Sequence, residues 1–387
     1  MSEIKVNSIK GVGASSAAIT VNNTDGTCTA NITNNLSNRN KVINGGMIVN
    51  QRGDQSATGS ANYFACDRFK TVNGCGAQVA ISQSTDTPDG FGNSMKWDCT
   101  TADTSIAASD FFIIRYSFEG RDLQDMQKGT SSAKKVTLSF YAKATKTGTY
   151  IVELIDHDNS SRHVNKSYTI SDTNWNRYTI SFPADTTGAL DNDNNKSMDI
   201  NFWLVAGSTY NSGTLQTSWG ADTNANRAVG QVNAMDSTSN DFFLTGVQLE
   251  IDHSGLGIAS DFEHRSFAQE LLLCQRYYRV IKDGSEDSGG YLGYMSYNYD
   301  VNSVVTQVNW IPEMRATPTA DSTVGTNYYR YYRNSGYVDI NSMSVLNGMG
   351  RKGGAFNNAD SGNGTAGQAG GIVLNNSSAK IAFSAEL

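Results

Sequence analysis

Val136-Thr137-Leu138-Ser139-Phe140-Tyr141 carries an apolar side chain at every second position. The same alternation returns in Arg177-Tyr178-Thr179-Ile180-Ser181-Phe182 and in Val247 to Ile251, where Gln248 and Glu250 separate Val247, Leu249 and Ile251. A period of two belongs to a strand with one buried face and one wet face. The intervening stretches, such as Ser84 to Asn93 and Thr186 to Lys196, are rich in Gly, Asn, Asp and Ser, and space the strands as in an antiparallel sandwich or jelly roll. A parallel α/β fold needs helical periodicity between its strands, and none is visible from Val42 to about Phe262.

The pattern changes on both sides of this region. Ser266 and Gln269 have the spacing of a capping box, and Phe267, Leu271, Cys274 and Tyr278 form one stripe, which predicts a helix from Phe267 to about Arg279. Its stripe is expected to pack on the sandwich of its own chain, or alternatively at a threefold axis. A second β-rich region follows, with strands expected around Tyr291, Met295, Tyr297 and Tyr299 and around Val304, Val308 and Trp310. Gly348 to Gly371 reads as a surface loop or a flexible tip, and Ile372 to Leu374 and Ile381 to Phe383 as closing strands. Before the sandwich, Met1 to about Asn40 has short alternating pieces around Ile4 to Ile9, Ala18 to Val21 and Cys28 to Ile32. That segment is either a disordered tail or an arm that gains order on sister chains or a partner. The expected division is therefore an arm (1–40), a jelly-roll-like β-sandwich (41–265), a bridging helix (266–282) and a smaller C-terminal β-domain (283–387).

With 387 residues, 38% of them hydrophobic and 17% charged, and a mean hydropathy of -0.41, the chain can bury a core beneath a surface of Asn, Ser, Thr and Gly. A formal charge of -7 argues against a nucleic-acid partner and favours neutral or poorly charged ligands. The five cysteines are scattered without CxxC spacing, so reduced thiols in a protein made in a cytoplasm are expected, not a zinc site or a disulfide framework. No apolar run has the length of a signal-peptide core or membrane span, so neither general export nor membrane insertion is expected.

Three stretches carry a resemblance. NKVINGGMIVNQRG (40–53) with YFACDRF (63–69) resembles the opening of a carbohydrate-binding-module-like β-sandwich domain of phage tail fibres and receptor-binding proteins, and FLTGVQLEI (243–251) with DFEHRSFAQELLLCQRYY (261–278) resembles its close. PEMRATPTA (312–320), with the final Ala385-Glu386-Leu387, is similar to the C-terminal β-domain that follows in such fibres, and SEIKVNSIKG (2–11) looks like attachment regions of marine phage fibres. The resemblance implies a jelly-roll domain, a homotrimer and a place on a virion. It marks Asn44, Gln51, Arg52, Asp67, Arg68, Glu263, His264 and Arg265 as family-like structural anchors. Arg52 or Arg68 is expected to pair with a buried carboxylate elsewhere, Asp67 and Arg68 to face opposite ways on a strand, and His264 to hydrogen-bond between domains.

Catalysis finds little purchase. Glycan-cleaving fibres need two convergent carboxylates, and the stacked repeat of most tailspike depolymerases is missing. Asp156, His157, Asp158 and His163 cluster near a hairpin and are expected to be solvated turn residues. Asp191, Asp193 and Asn195 begin like a calcium loop, but Lys196 and Phe202 occupy the glycine and glutamate positions, so no metal ligand is assigned. No GxSxG, HExxH, phosphate-binding or dinucleotide motif occurs, and no cofactor is expected. Sugars pack their C–H faces on aromatic rings, which points to Trp203, Tyr210 and Trp219 as glycan-binding candidates. Trp203 is expected to be exposed, because Ile200, Phe202 and Leu204 take the opposite face of its strand. The leading expectation is a non-enzymatic virion fibre or adhesin, fixed to a tail or capsid protein by its N-terminal arm and recognising host-surface glycan. The alternatives are a polysaccharide depolymerase and a head or tail decoration protein.

Overall fold

The computed structural model describes residues 6–10, 12, 19–21, 24, 28–30, 37–253, 255–345, 348–359 and 364–387. In the arm, β1 (Ser8–Ile9), β2 (Ile19–Val21) and β3 (Cys28–Ala30) pair antiparallel. The rest of the alternating pieces expected around Ile4, Ala18 and Ile32 lies outside the described residues.

The alternating segments do become strands of a mainly β, jelly-roll-like sandwich. Its strands are β4 (Gln55–Thr58), β5 (Asn62–Tyr63), β6 (Phe69–Asn73), β7 (Gln78–Ser84), β8 (Ser94–Thr101), β9 (Phe111–Glu119), β10 (Val136–Ala144), β11 (Gly148–Asp156), β12 (Arg162–Ile170), β13 (Asn176–Phe182), β14 (Lys196–Ala206) and β15 (Asp241–Ile251). They form two six-stranded antiparallel sheets ordered β13-β10-β15-β8-β7-β4 and β12-β11-β14-β9-β6-β5. Leu138 and Phe140 of the first sheet meet Ile200, Phe202 and Leu204 of the second in one fully buried core, with the rings of Phe140 and Phe202 5.0 Å apart. Each such side chain contributes roughly 1.5–3 kcal/mol of burial.

Between β14 and β15 the chain makes a long excursion containing helix α1 (Ser208–Asn211), and it returns over the outer face of the second sheet. Helix α2 (Phe267–Cys274) starts on the expected capping box, with Ser266 Oγ accepting from Gln269 N. It ends earlier than the stripe suggested: Tyr278 already opens β16 (Tyr278–Asp283). Tyr277 and Tyr278 leave the helix to provide flat faces for Arg68 and Arg52, 3.5 and 3.6 Å away. Cys274 is buried against the sandwich, whereas Phe267, Leu272 and Leu273 are exposed.

Beyond it lie helix α3 (Gly284–Asp287), β17 (Tyr291–Asn298), β18 (Ser303–Asn309), β19 (Thr319–Ala320), β20 (Tyr329–Arg333), β21 (Gly336–Ile340), β22 (Ser344–Val345), β23 (Gly353–Ala359), β24 (Ala369–Leu374) and β25 (Lys380–Ser384). They build a three-stranded sheet, β16-β25-β19, and a seven-stranded sheet, β21-β20-β24-β17-β18-β23-β22, around Trp310, Phe356 and Phe383. The stretch expected as a loop, Gly348 to Gly371, thus supplies β23 and the start of β24. Several of its glycines are sites of close packing: a Cβ on Gly371 would meet the Tyr291 ring at 2.8 Å. Cys66, Cys75, Cys99 and Cys274 are free thiols. Among the described residues no helix is long and apolar enough to cross a membrane.

Candidate functional site

Strand register assembles the outer face of the sandwich's second sheet. Across it, Tyr63, Lys70, Arg115, Asn201, Glu153 and Asn165 are successive cross-strand partners on β5, β6, β9, β14, β11 and β12. One side of this polar row is covered. There the excursion after β14 buries Trp203 completely with Ile113, Ile151, Ala206 and Ala228, under Tyr210 and Leu215. The expectation that Trp203 is exposed is therefore corrected: alternation put it on the outer face, but that face has a lid. Its indole N–H has no hydrogen-bond partner among the described residues. Tyr210 is half-buried with its ring 5.4 Å from that of Trp203. Trp219 is half-buried apart from them, donating Nε1–H to the Pro183 carbonyl at 2.9 Å.

The hairpin cluster also differs from expectation. Asp156 and His163 are fully buried, not solvated. Asp156 pairs with Lys128, which also reaches Asp185 at 3.0 Å and lies 5.1 Å from the Trp219 ring. His163 Nε2 accepts from Thr223 N at 3.2 Å, so the ring proton resides on Nδ1, 2.8 Å from the Asn165 amide. With its amide oriented to accept that proton, Asn165 donates to Glu153 at 3.2 Å. Burial, only partly opposed by Glu153, holds the His163 pKa below its ordinary value. Glu153 is clamped by Arg227 at 2.7 and 2.8 Å and accepts from Asn201 at 2.7 Å, which outweighs burial and keeps its carboxyl below the usual range. His157 departs to Asp199, at 2.8 Å, while Asp158 accepts from Asp191 N at 2.9 Å. Asp193 accepts from Asn195 N at 2.8 Å in a tight local turn.

The anchors form structural joints. Asn44, with φ of 59°, donates from Nδ2 to the carbonyls of Val49 and Asp67 at 2.8 and 3.1 Å. Beside it, a Cβ on Gly45 would collide with the Val247 carbonyl oxygen at 2.1 Å, so only glycine fits. Glu263 accepts from Asn38 N and Asn40 N, and Arg265 donates to the Asn40 and Val42 carbonyls, fastening the end of the arm. Asp67 and Arg68 occupy a turn before β6, Arg68 with φ of 75°, so they are not opposite faces of a strand. Asp67 accepts from Gln51 N at 3.0 Å, and burial pushes its carboxyl up to about 6. Arg52 and Arg68 both reach Glu386, one on each carboxylate oxygen. Among the described residues His264 makes no interdomain hydrogen bond; it is exposed against the rings of Phe91 and Phe262.

A second surface lies on the seven-stranded sheet, where Tyr337 on β21 faces Tyr332 on β20, which faces Gly371 on β24 and then Met295 on β17. Tyr291 lays its ring over Gly371. Successive ring centroids are 5.7 Å (Tyr337–Tyr332) and 6.2 Å (Tyr332–Tyr291) apart. Tyr337, Tyr332, Tyr291 and Met295 are 57%, 37%, 59% and 72% exposed, although each belongs to a regular strand. Arg330 flanks the row, paired with Asp339 at 2.6 Å and lying 3.9 Å from the Tyr337 ring. The sequence reading placed a strand at Tyr291 and Met295, read Gly371 as part of a loop, and assigned neither a strand at Tyr332 and Tyr337 nor a site.

No family model matches the chain, and no curated protein matches it. Solved structures similar to it include the enzymatically active domain of bacteriophage CBA120 tailspike protein 4, at 14% identity and a TM-score of 0.28 over 55% of this chain and 21% of that one. The family 11 carbohydrate-binding module of the Clostridium thermocellum cellulase Lic26A-Cel5E is 16% identical, with a TM-score of 0.27 over 55% of this chain and 99% of the module. The C-terminal family 22 module of Clostridium thermocellum Xyn10B is 9% identical, with a TM-score of 0.28 over 55% and 100%. The chain thus spans about a fifth of the tailspike structure and essentially all of either module.

Proposed function

We propose that this chain is a non-enzymatic, glycan-binding fibre or adhesin protein of a phage particle, assembled as a homotrimer and attached to a tail or capsid protein through its N-terminal arm. The observation that carries the reading is the exposed row Tyr337, Tyr332 and Tyr291. Flat rings that keep a polar edge in water suit the C–H faces and hydroxyls of a pyranose chain. Gln307 on β18 and Asn357 on β23 follow farther across the sheet, offering amides to hydroxyls.

Two buried carboxylates of the sandwich's outer face are not poised as proton donors for glycan cleavage. Glycoside hydrolysis needs one carboxyl that keeps its proton near neutrality. Glu153 and Asp199 are both held below their ordinary values by the cations around them despite burial. The exposed Phe267, Leu272 and Leu273 of α2 support self-association, and several copies would give weak sugar sites useful avidity.

A glycan array probed with the full-length assembled protein tests the reading. Stacked rings worth about 1 kcal/mol each predict that Tyr332→Ser with Tyr337→Ser weakens binding roughly tenfold or more while the protein stays folded and assembled, checked by circular dichroism and sedimentation. Binding by wild type and double variant alike would remove the tyrosine row from the site. New reducing ends released from the bound polysaccharide would favour a depolymerase.

A further inference from the structure

The uncovered end of the polar row carries an unbalanced charge. Lys70 and Arg115 are direct cross-strand partners on the same face of β6 and β9. Like charges directly opposite one another destabilise a sheet unless something shares them. Arg115 is fixed through Nε alone, to Asn201 Oδ1 at 2.8 Å and Asp199 Oδ2 at 3.1 Å. Neither of its terminal nitrogens makes a hydrogen bond among the described residues, and the side chain is partly exposed. Lys70 is half-buried, and its ammonium rests 5.3 Å from the Tyr63 ring without an ion pair among the described residues. Lys196 Nζ lies 3.3 Å from Asp199, so Arg115 and Lys196 share the carboxylate of Asp199 while Lys70, the cross-strand partner of Arg115, does not pair with it. His157 adds a ring nitrogen 2.8 Å from Asp199. Asp199 is itself fully buried and also accepts from Ser117 Oγ at 2.6 Å, which leaves it little capacity to neutralise more cations.

From this geometry we infer that the Lys70–Arg115 end of the row is a binding site for an oxyanion, the carboxylate or sulfate ester of an acidic saccharide. The free fork of Arg115 offers two parallel N–H groups to such a group, and Lys70 supplies a point charge from the neighbouring strand. Tyr63 forms the wall beneath Lys70. Burial first, then the proximity of Arg115 and Lys196, hold the Lys70 ammonium below its ordinary pKa despite Asp199 and Glu386 nearby. The overall charge of -7 pointed toward neutral ligands; here the local charge has the opposite sign. The saccharide half of the inference rests on the proposed glycan reading, and the anion half does not.

Isothermal titration of the full-length protein separates the two. The probes are a uronate oligosaccharide from alginate, a sulfated oligosaccharide from carrageenan, a neutral β-glucan oligosaccharide and sodium sulfate. Lys70→Met is the principal variant, because Lys70 has no ion pair whose loss would endanger folding; Arg115→Gln, checked for an unchanged melting temperature, is the second. At least one acidic oligosaccharide is expected to bind the wild type, to weaken tenfold or more in Lys70→Met, and to weaken with added salt, while any binding of the neutral oligosaccharide stays unchanged. Whether uronate or sulfate binds more tightly identifies the anion. Sulfate binding that depends on Lys70, with no oligosaccharide bound, would retain the anion site and reject its saccharide occupant. Acidic binding that is indifferent to Lys70→Met, or no binding of any anionic probe, overturns the inference. Neither of those results touches the tyrosine row, which is tested by its own variants.

Discussion

Glu386→Ala is the sharpest perturbation of the joint between the sandwich and the C-terminal β-domain. The Glu386 side chain is 5% exposed and is shared by Arg68, at 1%, and Arg52, at 10%. Removing it strands both guanidiniums, and breaking a buried ion pair costs about 3–5 kcal/mol. The loss is cushioned: Arg68 keeps the Ser117 carbonyl at 2.7 Å and the Tyr277 face at 3.5 Å, and Arg52 keeps Asp67 at 3.8 Å and the Tyr278 face at 3.6 Å. The low end, about 3 kcal/mol, is the expected destabilisation. Urea unfolding followed by tryptophan fluorescence reads it from both regions, because Trp97 lies in the sandwich core and Trp310 in the C-terminal one. A double-mutant cycle with Arg68→Met is expected to return a coupling of about 1–3 kcal/mol. A Glu386→Ala variant within about 0.5 kcal/mol of wild type, or effects of the two substitutions that simply add, would refute the idea that this carboxylate is the keystone of the joint.

Acid should find Asp199 next. Burial opposes its ionisation, but His157, Arg115 and Lys196 hold its pKa down to about 2 from 3.8. A depressed folded value means stabilisation that is complete above about pH 4 and disappears as pH falls through about 2, on the order of 2 kcal/mol in all. Asp199→Asn should therefore narrow its stability deficit against wild type between pH 4 and pH 2, and a constant deficit across that window would contradict the assignment. At the start of α2, Ser266→Ala removes the hydroxyl that accepts from Gln269 N at 3.3 Å. It should cost about 1 kcal/mol and speed amide exchange in 267–274, and unchanged exchange there would show that tertiary packing alone holds the helix.

What the sequence revealed was what local periodicity can reveal. Ile200, Phe202 and Leu204 were legible as core because each alternates with a side chain of the other face, and the α2 start was legible because a capping box is a local motif. Trp203 was misread because alternation assigns a face without saying whether a remote segment covers it. Asp156 and His163 look like turn residues until Lys128 and the excursion bearing Thr223 are brought to them. The tyrosine row escaped for a different reason. β20 has tyrosines on both faces: Tyr329 and Tyr331 are fully buried, whereas Tyr332 is exposed, so residue type there cannot distinguish core from surface. Lys70 and Arg115 are far apart in the chain, and only sheet register makes them neighbours.

The two candidate surfaces differ in chemistry, so their relative orientation matters as much as either surface. Residues 275–283 connect the two regions, and charge-assisted bonds from both sides hold them in place. Arg276 grips Glu119 with two bonds of 2.7 Å, and Arg315 donates to the Asn194, Ala385 and Glu386 carbonyls at 2.9, 2.7 and 2.9 Å. From the other side, Lys380 Nζ reaches the Gln51 and Arg52 carbonyls, both at 3.2 Å. Directional bonds of this kind, packed beside aromatic faces that exclude water, resist hinge motion far better than an apolar contact of similar size, which can slide. On the proposed reading, a long acidic glycan touching both surfaces would meet a preset spacing. Its effective concentration at the second surface would then be set by the joint around Glu386, with no contribution from linker length.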